Sequence, residues 1–551
     1  MGEGDDLSST SSGIEPALAS TYQVHRFWSE VTRTGPLLLA GNTISTVIWA
    51  LAMVAVARLL GPEAYGLYSL VLLTPTFLAY ATDLGLPTSL THFSARAHSD
   101  SDNDRVGLYL STSISVGIAV GTLSTVAAIL SSSFISASVI NRPGTETLVA
   151  LGSMVMVPQI IYALLTHFFA AIEKPKYSAA TSIAEGAFKG LLQLSLVVLG
   201  YSVAGVTAGY VGGILLGALF GLGLLLVKVR PKRLLGVDIS SLKRMLVYGL
   251  PFYLCIFLYQ LIAQYEGILM GELATDAQIG NYKTATNFMI VLTTTVAPLS
   301  STFVPAFSRF DHIRDRGVLK DLFRKGVKYA SLMTLPLAAA VIVLSNDGVY
   351  ALFEDQYALA PLYLSLLALH SVFSPLGANV IANSFNGLGK SHYVLAVNGI
   401  WTLVFMVLAR PVTVTFGIPG MIVLFTASWM PALAAGLIIA DRKFGMRLDA
   451  SWSARAYLAT TGAALGTWLL VNNFSLGKGW PNLLIGIPAF GLMLLVLYPL
   501  LCVIDEADLT QVESLAALSP RIRHALNPII RLERRLVAVS PFKATSSSDV
   551  G

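Results

Sequence analysis

Residues 204–227 read AGVTAGYVGGILLGALFGLGLLLV, an unbroken run without a charged side chain. A helix of about 20 such residues crosses the roughly 30 Å hydrocarbon core of a bilayer. The run ends at Lys228, the first residue of a basic cluster that continues to Arg233. An apolar segment that stops at a basic cluster is typical of a transmembrane helix. We therefore expect Ala204–Val227 to span a membrane.

The composition of the whole chain also indicates a protein that lies in a lipid bilayer. Of the 551 residues, 54% are hydrophobic and only 12% are charged, whereas soluble domains carry roughly 25% charged residues. We therefore expect an all-α polytopic membrane protein. The net charge of +5 does not indicate nucleic-acid binding, because the basic residues lie in short segments between apolar runs. Cys255 and Cys502 lie in apolar runs without metal-ligand spacing, and we expect no metal and no cofactor.

Similar apolar runs recur along the chain and predict about fourteen transmembrane helices. The expected spans are Leu37–Ala57, Leu67–Leu86, Gly107–Leu130, Leu148–Ala171, Ser178–Tyr201, Ala204–Val227, Met245–Leu269, Thr284–Ala306, Tyr329–Ser345, Leu359–Ser384, Tyr393–Ala409, Gly417–Ala440, Ala456–Val471 and Leu483–Val503. Prolines and glycines interrupt several of them, as expected of helices that bend around a cavity.

The positions of the basic residues test this count independently. If the N-terminus is cytoplasmic and the sides alternate, four basic residues fall outside: Arg58, Arg142, Arg410 and Lys478. Lys189 and Lys283 lie in or at spans, and the other basic residues fall in segments assigned to the cytoplasm. Cytoplasmic loops carry such an excess of Lys and Arg. The sequence therefore predicts a multi-pass protein of the cell membrane with both termini in the cytoplasm.

An internal repeat relates the two halves of the chain. Residues 56–94 align without a gap on residues 270–308, with identities Leu59/Leu273, Gly66/Gly280, Tyr68/Tyr282, Leu78/Leu292, Thr88/Thr302, Phe93/Phe307 and Ser94/Ser308. Both members of each pair fall on the same side of the predicted topology, as in the parallel repeats that relate two transporter halves. The sequence thus predicts two six-helix bundles related by a parallel repeat, plus two C-terminal helices.

This organisation gives six regions along the chain. They are a disordered cytoplasmic tail at 1–35, a first six-helix bundle at 36–227, a basic cytoplasmic linker at 228–244, a second six-helix bundle at 245–440, a cytoplasmic loop with two extra helices at 441–503, and a basic cytoplasmic tail at 504–551. Within the last region, residues 505–543 mix apolar side chains with arginines. This pattern predicts either a helix on the anionic inner leaflet or a solvated basic tail.

Three motifs resemble those of a known family. Residues 57–70 read ARLLGPEAYGLYSL and are followed by Asp83-Leu-Gly-Leu86; Gly280-Asn-Tyr282 and Leu352-Phe-Glu-Asp-Gln-Tyr357 lie in the second half. They are similar to polysaccharide-biosynthesis membrane proteins, the O-antigen-type flippases of the multidrug/oligosaccharidyl-lipid/polysaccharide exporter superfamily. The last motif carries Glu354 where the family usually has Gly. The resemblance covers roughly residues 36–440 and implies two bundles around a central cavity that transport by alternating access.

Ionisable residues within predicted spans or at their ends are candidates for the substrate site and the gates, since a charge inside a span costs at least about 2.5–3.5 kcal/mol to insert. The candidate substrate-binding residues are Glu185, Lys189, Arg58 and Lys283, and the candidate gating residues are Arg58, Glu272, Glu266 and Asp83. Glu185 and Lys189 lie four residues apart in the middle of the fifth span, on one helix face. Lys189 is therefore either a cation for a substrate diphosphate, balanced by Glu185, or half of a structural pair.

The residues near span ends allow two interpretations. Arg58, Glu266, Lys283 and Asp83 either act in transport or reach the interface as lipid-facing or paired side chains. Arg58 aligns with Glu272 in the repeat, so the sequence predicts an ion pair between them when the outer mouth closes. His167 and His370 are expected to be packing residues, and no catalytic residue is expected.

The preferred function is a flippase that moves lipid-linked oligosaccharide or polysaccharide precursors across the cytoplasmic membrane. A Na⁺- or H⁺-coupled small-molecule exporter is the alternative, and a membrane glycosyltransferase or polymerase is a third. The chain has no nucleotide-binding loop, and we expect it not to be an enzyme. The expected partners are the lipid-linked glycan and membrane lipids, with a monomer as the functional form, in association with glycan-assembly proteins.

Overall fold

The computed structural model describes residues 14–310, 314–474, 477–516 and 520–542. These residues form helices and turns without a strand, which confirms the all-α class. The helices are α1 Ile14–Ala81, α2 Leu86–Ser99, α3 Asn103–Leu130, α4 Ser132–Phe134, α5 Glu146–Ser153, α6 Met156–Ala171, α7 Pro175–Val198, α8 Ser202–Leu224, α9 Ile239–Leu273, α10 Asp276–Phe288, α11 Ile290–Phe307, α12 Arg316–Phe353, α13 Ala360–Val372, α14 Ile381–Gly387, α15 Ser391–Phe444, α16 Ala450–Asn473, α17 Trp480–Leu500, α18 Glu506–Ala516 and α19 Pro520–Val539.

The predicted spans coincide with helices or broken helices of the structure. Within the described residues, seven helices are long and apolar enough to cross a membrane, or nine if each of two bent pairs is one span. Two of the seven, Thr43–Ser99 with 57 residues and Ser391–Phe444 with 54, exceed twice the length that one crossing of about 20 residues needs. The multi-pass helical architecture is therefore confirmed, whereas the count of fourteen spans stays a prediction.

Glycines divide these two long segments. Gly61 in α1 has φ 74° and ψ 170°, and Gly417 in α15 has φ 64° and ψ −157°. A Cβ atom disfavours positive φ, so glycine is the residue that can break a helix in this way. Gly61 lies between the first two predicted spans, and Gly417 is the first residue of the predicted span Gly417–Ala440. The sequence predicts an outer turn before or at each of these breaks, near Arg58 and Arg410.

The N-terminal segment differs from its prediction. The sequence predicts a disordered tail at 1–35, but α1 already begins at Ile14. Ala17, Leu18 and Ala19 are good helix formers, which favours extension of the first membrane helix towards the N-terminus. Residues 1–13, and residues 543–551 of the predicted C-terminal tail, lie outside the described ranges.

The chain groups into two compact units, and unit 1 comprises Met1–Met53, Pro75–Ser132 and Glu146–Leu254. Its core includes Tyr109 and Phe168, both almost fully buried. The predicted basic linker belongs to this unit, because Lys232 Nζ lies 2.8 Å from Asp104 Oδ1.

Unit 2 comprises Val54–Thr74, Ser133–Thr145 and Cys255–Gly551. Two of these segments come from the predicted first bundle at 36–227, and the boundaries of the two bundles stay a prediction. Side-chain contacts explain the grouping, since Arg142 of the second segment bonds to residues of α9 and α10. The extra helices α16 and α17 pack on each other and on α12.

Candidate substrate site

One face of α7 carries four polar residues at intervals of four: Thr181, Glu185, Lys189 and Gln193. Residues at this spacing lie one above the other on a helix. Lys189 Nζ lies 2.6 Å from Glu185 Oε1, and the two side chains are only 14% and 8% exposed. The structure therefore forms the pair that the sequence spacing allows and buries it within unit 1.

A row of glycines on α8, defined here as the glycine stripe, faces these polar residues. It consists of Gly209, Gly213, Gly217 and Gly221, and its members lie in turn against Gln193, Lys189, Glu185 and Thr181. A Cβ atom on Gly213 would lie 2.2 Å from the Cα atom of Lys189, so a side chain there would push the helices apart. Small residues at this spacing let membrane helices approach closely. The G-x-x-x-G pattern of residues 209–221 is the sequence signal from which this contact can be predicted.

Aromatic rings surround the Lys189 ammonium group. Helix α1 packs closely on α7, since a Cβ on Gly190 would lie 2.7 Å from the Cβ of Ala52. Trp49 of α1 places its ring centroid 4.9 Å from Lys189 Nζ, and Tyr210 of α8 places its ring 5.6 Å away. Each such contact attracts a desolvated cation by about 0.5–2 kcal/mol. The cation is thus held by one carboxylate and two aromatic faces.

Tyrosine side chains surround the other half of the pair. Tyr80 and Tyr162 lie near enough to Glu185 to interact with its charge. The Tyr162 hydroxyl also donates to the Ser182 hydroxyl at 3.3 Å. The result is an electrically neutral polar cluster within the helices of unit 1. An ammonium group has three N–H donors, so an anion that enters such a cluster can compete with Glu185 for Lys189.

The predicted pair between Arg58 and Glu272 is not formed in this structure. Arg58 pairs with Glu354, and Glu272 pairs with Arg410. The reason lies in the packing beside Arg58, where the Tyr357 hydroxyl donates to the carbonyl oxygen of Ala57 at 2.7 Å. This bond holds the 352–357 motif against the end of the first predicted span and places Glu354 next to Arg58. Sequence reasoning singled out Glu354 only as a departure from the family motif.

Arg142 of unit 2 bonds to one carboxylate and to backbone carbonyl oxygens. It was not among the site residues predicted from the sequence. Its Nε lies 2.7 Å from Asp276 Oδ1, and its terminal nitrogens donate to the carbonyls of Gly271 and Ala274 at 2.9 Å each. Carbonyls in the last turn of a helix lack helical partners, and a cation there also meets the negative end of the helix dipole. Arg142 therefore fastens the 133–145 segment to the turn between α9 and α10.

The internal repeat appears as a reciprocal contact in unit 2. A Cβ on Gly66 would lie 1.8 Å from the carbonyl oxygen of Asp276, and a Cβ on Gly280 would lie 1.9 Å from that of Pro62. Pro62 and Asp276 occupy equivalent positions in the repeat, as do the two glycines. The same contact is thus made twice in opposite senses, as a local two-fold axis requires. Only glycine allows this approach at either position.

The remaining predicted residues are dispersed over both units. Buried Glu266 accepts a hydrogen bond from Tyr282 at 3.3 Å, and Lys283 is exposed on α10. Asp83 accepts from the backbone amide of Gly85 at 3.0 Å. Among the predicted substrate-binding residues, the structure brings Glu185 and Lys189 together in unit 1, whereas Arg58 and Lys283 belong to unit 2. Their roles in binding and gating stay predictions.

A cavity of about 690 Å³ lies in unit 2 between α12, α13 and α16. Apolar side chains such as Leu335, Ile342 and Leu465 line it, together with the half-exposed Trp468. Small-molecule sites commonly occupy about 300–1,000 Å³ and are lined in this way. The cavity was not predicted from the sequence, because it is formed by one of the extra helices packing beside the second predicted bundle.

The fold and the site together define the class as a helical, multi-pass membrane protein with a two-fold internal repeat and a buried ion pair. More specifically, the chain belongs to the family of polysaccharide biosynthesis proteins, which it matches over residues 31–311. This match confirms the family resemblance carried by the motifs at 57–70 and 83–86.

Solved structures share the fold at low sequence identity. The lipid II flippase MurJ, in an inward closed conformation, aligns with a TM-score of 0.68 and 13% identity over 84% of this chain and 98% of that protein. A multidrug resistance MATE family transporter of the MOP superfamily, in an inward-facing conformation, aligns with a TM-score of 0.63 and 16% identity, over 73% of this chain and 94% of that protein. A MOP superfamily transporter from Pyrococcus furiosus aligns with a TM-score of 0.55 and 16% identity, over 76% of this chain and 95% of that protein. Comparison with curated protein sequences finds no match.

Proposed function

We propose that this protein is a flippase that moves lipid-linked oligosaccharide or polysaccharide precursors across the cell membrane by alternating access. Family membership supports a role in polysaccharide biosynthesis, and the fold shared with a lipid II flippase supports transport of a lipid-linked sugar. The substrate is the lipid-linked glycan, and the protein acts as a monomer beside glycan-assembly proteins. Both termini face the cytoplasm, in keeping with the distribution of basic residues.

The buried Glu185–Lys189 pair is the observation that carries this proposal. A lipid-linked sugar bears an anionic phosphate or diphosphate group that must lose water to cross the bilayer. An ammonium group in a low-dielectric environment attracts such an anion far more strongly than it does in water. Lys189 is held ready as a cation, because Glu185 balances its charge while no substrate is bound. When a substrate anion takes the place of Glu185 at the ammonium group, the displaced carboxylate loses its cation and must take up a proton or reach water.

The cavity in unit 2 supports a lipid-linked substrate over a small polar one. Its apolar lining suits a hydrocarbon chain, which can leave the bilayer for such a cavity without exposing its methylene groups to water. The walls still contain a polar pair, with the Ser345 and Ser365 hydroxyl oxygens 2.8 Å apart. We assign the cavity to part of the lipid carrier. The role of the protein is transport rather than a chemical change of the glycan.

Reconstitution into phospholipid vesicles tests the proposal. The vesicles contain a fluorescent oligosaccharide linked through a diphosphate to a long-chain lipid, and a glycosidase is added outside. We expect the purified protein to expose the inner-leaflet substrate to the enzyme, whereas protein-free vesicles keep it protected. Continued protection, together with transport of an organic cation under a Na⁺ or proton gradient, would instead establish the small-molecule exporter.

A further inference from the structure

The C-terminal helix α19 presents two apolar faces. Ile530 and Val537 lie on one side and are 4% and 3% exposed. Ile529, Leu532 and Val539 lie on the neighbouring side and are 37%, 49% and 78% exposed. Their spacings of three and seven residues place these three on one stripe of the helix surface. The first face packs within the protein, and we call the second the exposed stripe.

Contacts with the last predicted span fix the height of α19. The Ser540 hydroxyl, just after the helix, donates to the Leu500 carbonyl at 2.7 Å, and the Cys502 thiol lies 3.1 Å from the same hydroxyl. Leu500 is the final residue of α17, one of the helices long and apolar enough to cross the membrane. The end of α19 is therefore held where hydrocarbon gives way to headgroups.

Helix α18 supplies a second attachment. Lys328 of α12 lies 2.7 Å from Asp505 and 2.5 Å from Asp508, and its side chain is only 15% exposed. Arg534 of α19 in turn pairs with Glu506 and Glu513 of α18. These bonds connect α19 through α18 to a second membrane helix. A helix attached at both points stays close to the membrane surface instead of moving freely in solution.

Two exposed charged residues next to the exposed stripe are basic, whereas Glu533 on its other side is buried. Arg531 and Arg535 are exposed and follow the stripe around the helix. An apolar face bordered by arginines is the arrangement of helices that lie in the interface plane of a bilayer. Anionic lipids attract each such residue by about 1 kcal/mol, which is roughly a fivefold change in bound population.

We propose that the exposed stripe of α19 is an interaction surface for the anionic bilayer leaflet on the side of the C-terminus. Ile529, Leu532 and Val539 enter the boundary between headgroups and acyl chains, while Arg531 and Arg535 bind lipid phosphates. The lipid surface is the occupant because the attachment at Leu500 places the stripe at headgroup height and the flanking charges are complementary to anionic lipid.

Site-directed spin labelling of the full-length protein tests this inference. One label is attached at Leu532→Cys in the stripe and a matched label at Ala538→Cys, which is exposed elsewhere on the same helix. Cys255 is replaced by Ser, and Cys502 is left in place because it is buried. The variants are reconstituted into phosphatidylcholine alone or with phosphatidylglycerol. Collision with apolar oxygen and with a water-soluble nickel complex then reports the depth of each label.

We expect the Leu532 label to favour oxygen over nickel with phosphatidylglycerol, while the Ala538 label stays accessible to nickel. Replacing Arg531 and Arg535 by Gln in the Leu532→Cys variant should lower the oxygen preference towards its value in phosphatidylcholine. Equal nickel access of both labels in both bilayers would overturn the proposal. Shielding of the Leu532 label from both reagents would also overturn it, since it would indicate a protein contact. Neither result depends on the transport activity.

Discussion

The α7 ion pair of unit 1 and the ion pairs of Arg58, Arg142 and Arg410 in unit 2 each join a carboxylate to a cation, but in different surroundings. Glu185 and Lys189 are 8% and 14% exposed, whereas Arg58 and Glu354 are 48% and 61% exposed. Exposed pairs contribute only about 0–1 kcal/mol, and loss of one partner of a buried pair costs about 3–5 kcal/mol. The buried pair therefore suits a site that must hold its charge, and the exposed pairs suit contacts that form and break.

The largest expected effect follows removal of Glu185. Glu185→Ala leaves the Lys189 ammonium buried without its carboxylate, and we expect a loss of stability of about 3–5 kcal/mol. The Glu185→Ala/Lys189→Ala double variant removes both charges and should recover much of it. Thermal unfolding in detergent measures the difference. A double variant as unstable as the single one would show that the charge is not the cause.

The next effect concerns the glycine stripe. Gly213→Ala places a methyl group 2.2 Å from the Lys189 Cα atom, and we expect overpacking to destabilise the protein by about 1–3 kcal/mol. Gly223→Ala in the same helix is the matched control, because no atom lies within 4 Å of its Cβ position. The same unfolding assay applies. Equal melting temperatures for the two variants would contradict the close packing of α7 on α8.

The ion pair of Arg142 is intermediate in exposure between the buried α7 pair and the exposed pair of Arg58, since the Arg142 side chain is 22% exposed. Arg142→Ala removes bonds to Asp276 and to two backbone carbonyls of the α9 end. Unsatisfied buried polar groups cost about 1–3 kcal/mol, and partial exposure lowers the expected loss to the bottom of this range. Arg410→Ala is the comparison, because that residue is 61% exposed. If Arg410→Ala destabilised the protein more than Arg142→Ala, burial would not determine how much these ion pairs contribute to stability.

The smallest expected effect is the coupling of Arg58. A double-mutant cycle of Arg58 and Glu354, measured on the transport rate, should give a coupling free energy of about 0–1 kcal/mol. In a second double-mutant cycle, the effects of Arg58→Ala and Glu272→Ala on the transport rate should be additive if the pairing seen here persists in every state of transport. Coupling between Arg58 and Glu272 would show that they meet in another state, as the repeat alignment predicts.

The sequence was sufficient for features that depend on local spacing. The helical spans follow from apolar runs, the Glu185–Lys189 contact follows from a four-residue interval, and the repeat was visible in Gly66 and Gly280. The contact between Arg58 and Glu354 was not predicted, because Glu354 reaches Arg58 through long-range packing around Tyr357. The pair of Arg58 with Glu272 on closure of the outer mouth stays a prediction. The glycine stripe was visible in the sequence. Its role depends on which neighbouring helix it faces, and only the fold specifies that.

The flipping rate of a variant without the α7 charges is the most direct test of the account. The Lys189→Ala/Glu185→Gln variant removes both charges, and Lys176→Ala removes an exposed lysine of the same helix as a control. A hydrogen bond to a charged group contributes about 1.5–3 kcal/mol, so we expect the double variant to flip the lipid-linked oligosaccharide at least about tenfold more slowly. The control should retain the wild-type rate. A well-folded double variant that flips at the wild-type rate would contradict the assignment of this pair as the anion site.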